Sequence, residues 1–369
     1  MRIALVAPLV TPIAQPYVGG AQALVADLAQ GLLHRQHSVT LFARAGSSIP
    51  GVAIEQISVP SSVQPASFSA PSQERAADPG FFAQANLFLE LFLHLQQRHH
   101  EFDLVHAHAF DWPAFACSRL LHDLPVVHTI HLPAVSPEIN QALRVLHHQN
   151  HPLTLITVSH ACARSYADYT PFDHVIYNGL DLVAIPFSAE VPPDAPLLFA
   201  GRIAPEKGVD AAIEIAERAG RRLLIAGGIY DQDYYEQQIA PQIKQARERA
   251  TYLGQLEHAE LWQVMGQASG LLFPIAWDEP FGLAAVEAMA SGTPVIAFRR
   301  GAAQEIIRHG ETGFLVTPGD CTEAAMRVNE LAALSRTQCR AHVERNFSLA
   351  HMLDEYERVF ASLIRPSKD

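Results

Sequence analysis

The sequence has few cysteines and no excess of basic residues, and both shortages exclude kinds of protein. Four cysteines occur in 369 residues (Cys117, Cys162, Cys321 and Cys339), with no C-x-x-C pair. This spacing predicts reduced thiols rather than a disulfide framework or a cysteine zinc site. Lys and Arg number 26 against 38 Asp and Glu, a net charge of −12. The whole chain therefore has no general affinity for nucleic acid or anionic lipid.

Long apolar runs are also missing. No run reaches the roughly 18–20 residues that span a bilayer, so no transmembrane segment is predicted. The first eight residues enter a predicted strand too quickly for a signal peptide. Apolar residues still make up 49% of the chain, which is enough for substantial cores and excludes wholesale disorder. We expect a cytoplasmic enzyme or binding protein, with peripheral membrane contact left open.

Short apolar runs alternate with longer amphipathic segments through most of the chain. The predicted strands are Ile3–Ala7, Val39–Ala43, Leu104–Ala107, Val126–Thr129, Leu155–Val158, Leu197–Ala200, Leu223–Ala226, Thr251–Leu253, Leu271–Phe273 and Val295–Phe298. Apolar strands separated by helices are typical of parallel sheets covered on both faces. The proline-rich segment Asn178–Pro196 predicts a linker, and Pro60–Gly80 predicts a long loop. The pattern therefore predicts two doubly wound α/β domains, residues 1–180 and 181–347, with a ligand cleft between them.

One candidate anion site is the loop Gly201–Gly208, G-R-I-A-P-E-K-G, which follows a predicted strand and opens a helix. Arg202 and Lys207 lie on this loop, where cations and unpaired backbone N–H groups can converge on an anion. Arg binds phosphate through two hydrogen bonds, and Lys acts as a point charge. Taken alone, the loop also fits a solvated basic turn.

The most specific motif is the segment 279–295, E-P-F-G-L-A-A-V-E-A-M-A-S-G-T-P-V. A helix is predicted to begin near Phe281. The amides of Phe281, Gly282 and Leu283 would then lack intrahelical acceptors and attract an anion, helped by the helix dipole. Gly282 would let a ligand approach the backbone closely.

Two acidic residues flank the start of this helix. Glu279 lies just outside it and Glu287 lies within it. If the eight intervening steps were helical, the two would stand about 12 Å apart along the axis. That exceeds the roughly 5–5.5 Å of a retaining glycosidase pair. Contacts with opposite ends of an extended ligand fit the spacing better.

Taken together, these motifs resemble those of the family 4 glycosyltransferases. The matching features are the E-x7-E motif of Glu279 and Glu287, the 201–208 loop, the Gly19-Gly20 turn and the segment V-I-Y-N-G-L-D at 175–181. The resemblance runs over nearly the whole chain and implies the GT-B fold, two Rossmann-like domains facing across a cleft. Residues 1–180 would bind the acceptor, and 181–347 the nucleotide-sugar donor. A C-terminal helix within 348–369 would cross back to the first domain.

The resemblance also implies a role for each donor-site residue. Arg202 and Lys207 would bind the donor diphosphate, and Glu287 would hydrogen-bond the nucleotide ribose. Glu279 and the amides of 281–283 would hold the transferred sugar and the distal phosphate. The amides of Gly19 and Gly20 would lie beneath the phosphates and sugar. Fixed cations and amides would stabilise the leaving diphosphate in the transition state.

The implied reaction is retaining transfer of a sugar from a nucleotide-diphosphate sugar to an acceptor hydroxyl, without a metal or another cofactor. The acceptor would be a glycan, a lipid or a small molecule. The nucleotide base, the sugar, the linkage and the oligomeric state stay open, as does the choice between front-face and double displacement. Two other functions stay open as well: a sugar-nucleotide epimerase on the same fold and a non-catalytic nucleotide-sugar binding protein.

Histidines are abundant, at 19. His128 and His131 form an H-T-I-H segment at the end of a predicted strand. The resemblance implies a histidine here, close to the reacting sugar and acceptor. His131 is favoured over His128, because the second histidine of such segments usually matches. His106 and His108 end another predicted strand and would line the acceptor side.

No metal site is predicted. An H-E-x-x-H motif is missing, and the clustered histidines lack carboxylates at zinc-site spacing. Asp231 and Asp233 imitate a D-x-D metal motif, but they follow Gly227-Gly228. A loop that caps the next helix is expected there instead.

Overall fold

The computed structural model describes residues 1–15, 17, 19–60, 79–147 and 153–364. The chain divides into two compact units. The N-terminal unit comprises Met1–Tyr177 together with the C-terminal segment from Met352, and the C-terminal unit comprises Asn178–His351. The limits expected from the sequence were 180 and 347. Most of the predicted loop Pro60–Gly80, residues 61–78, lies outside the described residues.

The N-terminal unit is built on a seven-stranded sheet with the order β3-β2-β1-β4-β5-β6-β7, in which every pairing is parallel. Its strands are β1 (Arg2–Val6), β2 (Ser38–Arg44), β3 (Ala53–Ile57), β4 (Leu104–Ala107), β5 (Val126–Ile130), β6 (Leu153–Thr157) and β7 (His174–Val175). Its helices before residue 178 are α1 (Gly20–His34), α2 (Pro79–Gln97), α3 (Trp112–Cys117), α4 (Pro137–His147) and α5 (His160–Ser165). The central strands are buried on both faces, as their continuous apolar sequences require.

The C-terminal unit has a six-stranded sheet with the order β10-β9-β8-β11-β12-β13, again with every pairing parallel. Its strands are β8 (Leu197–Ala200), β9 (Leu223–Ala226), β10 (Ala250–Gly254), β11 (Gly270–Phe273), β12 (Val295–Phe298) and β13 (Gly313–Val316). Its helices are α6 (Val209–Arg218), α7 (Gln232–Tyr234), α8 (Ala240–Ala246), α9 (His258–Gln267), α10 (Leu283–Ala290), α11 (Ala303–Ile306), α12 (Cys321–Val328) and α13 (Arg336–Asn346). The predicted two doubly wound α/β domains are confirmed.

The last helix, α14 (Leu349–Leu363), contributes its residues from Met352 onward to the N-terminal unit. The ring of Tyr356 lies 5.0 Å from that of His106 on β4. Arg35, which follows α1, forms ion pairs of 2.6 Å with both Asp354 and Glu357. The C-terminal helix therefore returns to the first sheet, as predicted.

The strand order reverses at one point in each sheet, between β1 and β4 and between β8 and β11. Neighbouring loops leave in opposite directions there, so a crevice opens at the carboxyl ends of the strands. The loops after β8 and β11 carry Arg202, Lys207 and Glu279. The fold thus brings together motifs that lie about 70 residues apart in the chain. Among the described residues, no helix is both long and apolar enough to cross a membrane.

Candidate functional site

The loop after β8 is held to the neighbouring strand by its backbone. The Gly201 N–H donates to the Ala226 carbonyl at 3.0 Å, and the Ile203 N–H donates to the Gly228 carbonyl at 2.8 Å. Between them, the Arg202 guanidinium carbon lies 4.3 Å from the centroid of the Tyr230 ring. Its side chain is 42% exposed, and its Nη2 atom lies 3.5 Å from Glu206 Oε1, a long distance for an ion pair. Arg202 is thus positioned mainly by cation–π stacking, with its charge accessible to a ligand.

Lys207 and Glu279 form a close ion pair across the switch point. Lys207 Nζ donates to Glu279 Oε2 at 2.6 Å, and each side chain is 14% exposed. Trp277 Nε1 donates to the same Oε2 atom at 2.7 Å. Lys207 Nζ also lies 5.4 Å from the centroid of the Trp277 ring. Two of the predicted residues, from different loops, are therefore in direct contact.

The helix after Glu279 begins later than predicted. It starts at Leu283, with Gly282 as its N-cap residue at φ 99°, a left-handed conformation that favours glycine. Phe281 lies before the helix, with its ring buried against that of Phe347 at 5.8 Å. The predicted start near Phe281 is therefore wrong. By helix geometry, the first amides without intrahelical acceptors are those of Leu283 and Ala284.

Glu287 lies within α10, as predicted, and is partly exposed between the buried residues Val286 and Ala288. Glu279 lies outside the helix and is anchored through its backbone. The Glu279 carbonyl accepts from the Ala302 N–H at 3.0 Å.

In the N-terminal unit, Gly19 is the N-cap residue of α1 and has an extended conformation. Its N–H donates to Gln22 Oε1 at 2.8 Å, and Gln22 Nε2 in turn donates to Thr11 Oγ1. The Gly19 amide is therefore engaged within the protein. Gly20 is the first helical residue, so helix geometry leaves its N–H without an intrahelical acceptor.

His131 and His128 lie in different surroundings. His131, just past β5, is partly exposed, and its Nε2 lies 2.9 Å from His108 Nδ1, with the two rings stacked 5.2 Å apart. His128 is fully buried, with its ring 4.8 Å from that of Phe115. Burial lowers the pKa of His131 to about 4 and that of His128 to about 3. Both rings are therefore neutral at pH 7, and His131 is the more accessible of the two.

His106 belongs to a polar contact within the core. Its Nε2 lies 2.8 Å from Thr129 Oγ1, which lies 3.2 Å from the hydroxyl of Tyr356 on α14. The side chain is fully buried. His106 therefore links the sheet to the last helix, whereas His108 meets His131.

Among the described residues, no cluster of three His, Cys, Asp or Glu side chains is arranged to hold a metal ion. Asp231 caps α7, since its Oδ1 accepts from the Tyr234 N–H at 2.9 Å. The capping role expected for the D-Q-D segment is confirmed.

Two family models match nearly all of the chain. The model of Glycosyltransferase Family 4 covers residues 18–183, and that of Glycosyl transferases group 1 covers residues 185–346. The chain belongs to the family 4 glycosyltransferases. The resemblance drawn from Glu279, Glu287 and the glycine-containing loops is thereby confirmed.

Curated relatives agree with this family. The glycogen synthase of Mycobacterium tuberculosis is 34% identical over 262 residues, 62% of this chain and 60% of the relative. The chain thus spans about 60% of the length of that relative. The D-inositol 3-phosphate glycosyltransferase of Mycolicibacterium smegmatis is 28% identical, over 96% of this chain and 89% of the relative.

Solved structures share the fold. A sucrose-phosphate synthase from Thermosynechococcus elongatus superposes with a TM-score of 0.79 at 20% identity, over 98% of this chain and 99% of the other. Anabaena Alr3699/HepE, in complex with UDP-glucose, gives a TM-score of 0.74 at 21% identity, over 98% of this chain and 100% of the other. At such identities the likeness shows the fold, two parallel-sheet α/β domains of the GT-B type.

Three further side chains lie outside the sequence motifs. Tyr230 lies against the Arg202 guanidinium, and Trp277 lies beside the Lys207 ammonium. Asp111, at the start of α3, accepts from Gln84 Nε2 at 2.5 Å, and burial raises the pKa of its carboxyl to about 6. The aromatic-acidic run F-D-W directly after the His106–His108 segment was the available signal for Asp111.

Proposed function

We propose that this family 4 glycosyltransferase transfers a sugar from a nucleoside-diphosphate sugar to an acceptor hydroxyl, with retention and without a metal. The observation that carries the proposal is the meeting of Lys207 and Glu279 at 2.6 Å, at the switch point of the C-terminal sheet. A carboxylate beside a cation suits a ligand that offers both hydroxyls and phosphates. The complexes of Anabaena Alr3699/HepE with UDP and with UDP-glucose support this class of donor.

In this proposal, Arg202 and Lys207 bind the diphosphate, and the first-turn amides of α10 add further positive potential. Glu279 accepts a hydrogen bond from the transferred sugar, and Glu287 accepts one from the ribose. Positive charge fixed beside the leaving phosphate stabilises the transition state more than the ground state. These groups then perform the charge neutralisation that a metal ion performs in other transferases.

The bond changes in the proposed transfer are simple. The bond between the sugar C1 and the phosphate oxygen breaks, and a bond from C1 to the acceptor oxygen forms. The departing phosphate oxygen takes the hydroxyl proton of the acceptor. His131, a neutral and partly exposed residue of the N-terminal unit, would contact a hydroxyl of the acceptor. The acceptor is a glycan, a lipid or a small molecule.

The first experiment is a thermal-shift screen over UDP-, GDP-, ADP- and dTDP-sugars, because a ligand that binds only the folded state raises its melting temperature. Transfer from the selected donor is then measured with EDTA for the wild type, Glu279→Gln and Glu311→Gln. Glu311 is a matched control, because its side chain is 65% exposed and its Arg308 partner lies 3.8 Å away. We expect Glu279→Gln to lower turnover about 100-fold or more and Glu311→Gln to leave it unchanged.

Each contrary result has a definite meaning. Complete loss of turnover in EDTA contradicts metal independence, and wild-type turnover by Glu279→Gln contradicts the site. Incubation with donor alone tests the epimerase alternative, which predicts an epimerised sugar nucleotide. Tight donor binding without transfer to a broad panel of acceptors would support a non-catalytic binding protein. Inversion at C1 in the product would overturn the proposed retention.

A further inference from the structure

Trp277 touches both members of the Lys207–Glu279 pair. Its indole N–H donates to Glu279 Oε2 at 2.7 Å, and its ring centroid lies 5.4 Å from Lys207 Nζ. The Glu279 N–H also donates to the Trp277 carbonyl at 3.0 Å. One residue therefore constrains the backbone and side chain of the carboxylate, while its ring faces the ammonium group.

The two oxygens of the Glu279 carboxylate differ in their hydrogen bonds. Oε2 accepts from both Lys207 Nζ and Trp277 Nε1. Among the described residues, no hydrogen bond is made to Oε1 of Glu279. With Lys207 alone, a flexible ammonium would hold the carboxylate at a single point. A second donor on the same oxygen, from a rigid indole, fixes the orientation of the group and leaves Oε1 as its acceptor.

We infer that Trp277 is a positioning residue of the donor site, whose indole N–H orients Glu279 so that Oε1 accepts a hydroxyl of the transferred sugar. This inference rests on the proposed function, since it requires that Glu279 contact the sugar. The Trp277 ring also lies beside Lys207, so its loss would affect a phosphate-binding cation. Trp277→Phe keeps an aromatic ring and removes the N–H, and its loss of ring size is matched by the same exchange at a control tryptophan.

The test compares Trp277→Phe with Trp262→Phe. Trp262 is the matched control, because its buried Nε1 has no hydrogen-bond partner in the described part of the chain. At Trp262 the same exchange removes a ring N–H that makes no hydrogen bond to the described residues. The probes are UDP-glucose and UDP, or the corresponding pair that the thermal-shift screen selects. We measure kcat and KM for transfer and the Kd of the sugar-free nucleotide.

We expect Trp277→Phe to lower kcat/KM for the nucleotide sugar about tenfold, the effect of losing one hydrogen bond to a charged group. The Kd of UDP should stay within about twofold of the wild type, because UDP has no transferred sugar. Trp262→Phe should change neither value. A structural role for Trp277 would instead weaken UDP binding and lower the melting temperature together.

A double-mutant cycle then tests whether Trp277 acts through Glu279. In the Glu279→Gln background, Trp277→Phe should cause little further loss, because the carboxylate that it orients is gone. An equal tenfold loss in both backgrounds would overturn the inference, as would wild-type kinetics for Trp277→Phe in an active enzyme. If the wild type transfers sugar from no nucleotide donor, the proposed function itself fails.

Discussion

At the residue scale, the position of Glu279 depends on close packing of the backbone beside it. Gly301, just before α11, has φ 50°. A Cβ atom at this position would lie 2.4 Å from the carbonyl oxygen of Glu279 and 2.5 Å from its nitrogen. No side chain fits there without moving the Glu279 backbone. Gly301 therefore contributes to the site although it offers no chemistry of its own.

We predict that Gly301→Ala displaces Glu279 and lowers the rate of sugar transfer by the protein that remains folded. The matched control is Gly310→Ala, since Gly310 also has a positive φ, 80°, but nothing lies within 4 Å of an added Cβ. Gly310→Ala should lose about 1–2 kcal/mol of unfolding free energy from the left-handed conformation, and Gly301→Ala should lose more, because its Cβ also meets the Glu279 backbone. Only Gly301→Ala should also lose turnover, by about tenfold or more. Equal turnover in the two variants would show that the contact with Glu279 has no functional effect.

The sequence pointed to charged residues that the structure brings together, Lys207 and Glu279, but not to the aromatic residues around them. Arg202, Lys207 and Glu279 stand in motifs whose spacing points to phosphate and sugar binding. Tyr230 meets Arg202 only because β8 and β9 are neighbours in the sheet. The role of Trp277 depends on which way its indole N–H points. Neither arrangement leaves a periodic signal in the sequence.

At the element scale, Arg336 ties the first turn of α13 to the rest of the C-terminal unit. It is only 7% exposed. Its guanidinium donates to three backbone carbonyls and one hydroxyl at 2.7–2.9 Å. These acceptors are Ser188 O, Ala268 O, Gly266 O and Thr293 Oγ1. A single side chain thus pairs polar groups that the fold has buried.

We predict that Arg336→Met destabilises the C-terminal unit by about 3 kcal/mol or more, because several buried acceptors lose their donor. Arg345→Met is the control on the same helix, where the exposed side chain donates, among the described residues, only to the Ala341 carbonyl at 3.1 Å. Its effect should stay within about 0.5 kcal/mol. Urea unfolding of the full chain measures both. A small effect of Arg336→Met would mean that water replaces the lost donor.

Most elements with a clear apolar pattern were predicted, although the buried strand Gly313–Val316 was missed despite its apolar sequence. The C-terminal helix, predicted within 348–369, spans Leu349–Leu363. The strand Ala53–Ile57 was missed because it lies at the sheet edge and is only partly buried. His174–Val175 is too short to show any alternation. The late start of α10 depends on the left-handed Gly282, which hydrophobic periodicity does not reveal.

At the scale of the whole molecule, buried histidines couple folding to pH. Burial lowers the pKa of His106, His108, His128 and His131 in the folded protein. Above about pH 6.5, both folded and unfolded chains hold these rings neutral, and they add no pH dependence. Below that pH, the unfolded chain binds protons that the folded chain does not. Stability is therefore lost as the pH falls from about 6.5 towards 4.

We predict that His128→Leu makes the unfolding free energy less sensitive to acid, by up to about 1.4 kcal/mol per pH unit in this range. The ring is buried, and neither nitrogen has a partner among the described residues, so its removal breaks no hydrogen bond. His122→Leu, at an exposed position, should leave the slope at the wild-type value. Urea unfolding at pH 7.5, 6.5 and 5.5 measures the slopes. An unchanged slope for His128→Leu would mean that His128 keeps its ordinary pKa.

Because α14 packs on the first sheet, the N-terminal unit can be completed only after the C-terminal unit has been translated. A ribosome releases every residue of the C-terminal unit before it releases Tyr356 and Phe360, whose rings lie 5.0 and 5.3 Å from that of His106. The unit translated first is thus the last that can be completed. Until α14 has been translated, the nascent N-terminal sheet lacks the aromatic rings that α14 packs against His106. A released chain that ends at His351 should therefore resist protease in its C-terminal unit while its first 177 residues are cleaved.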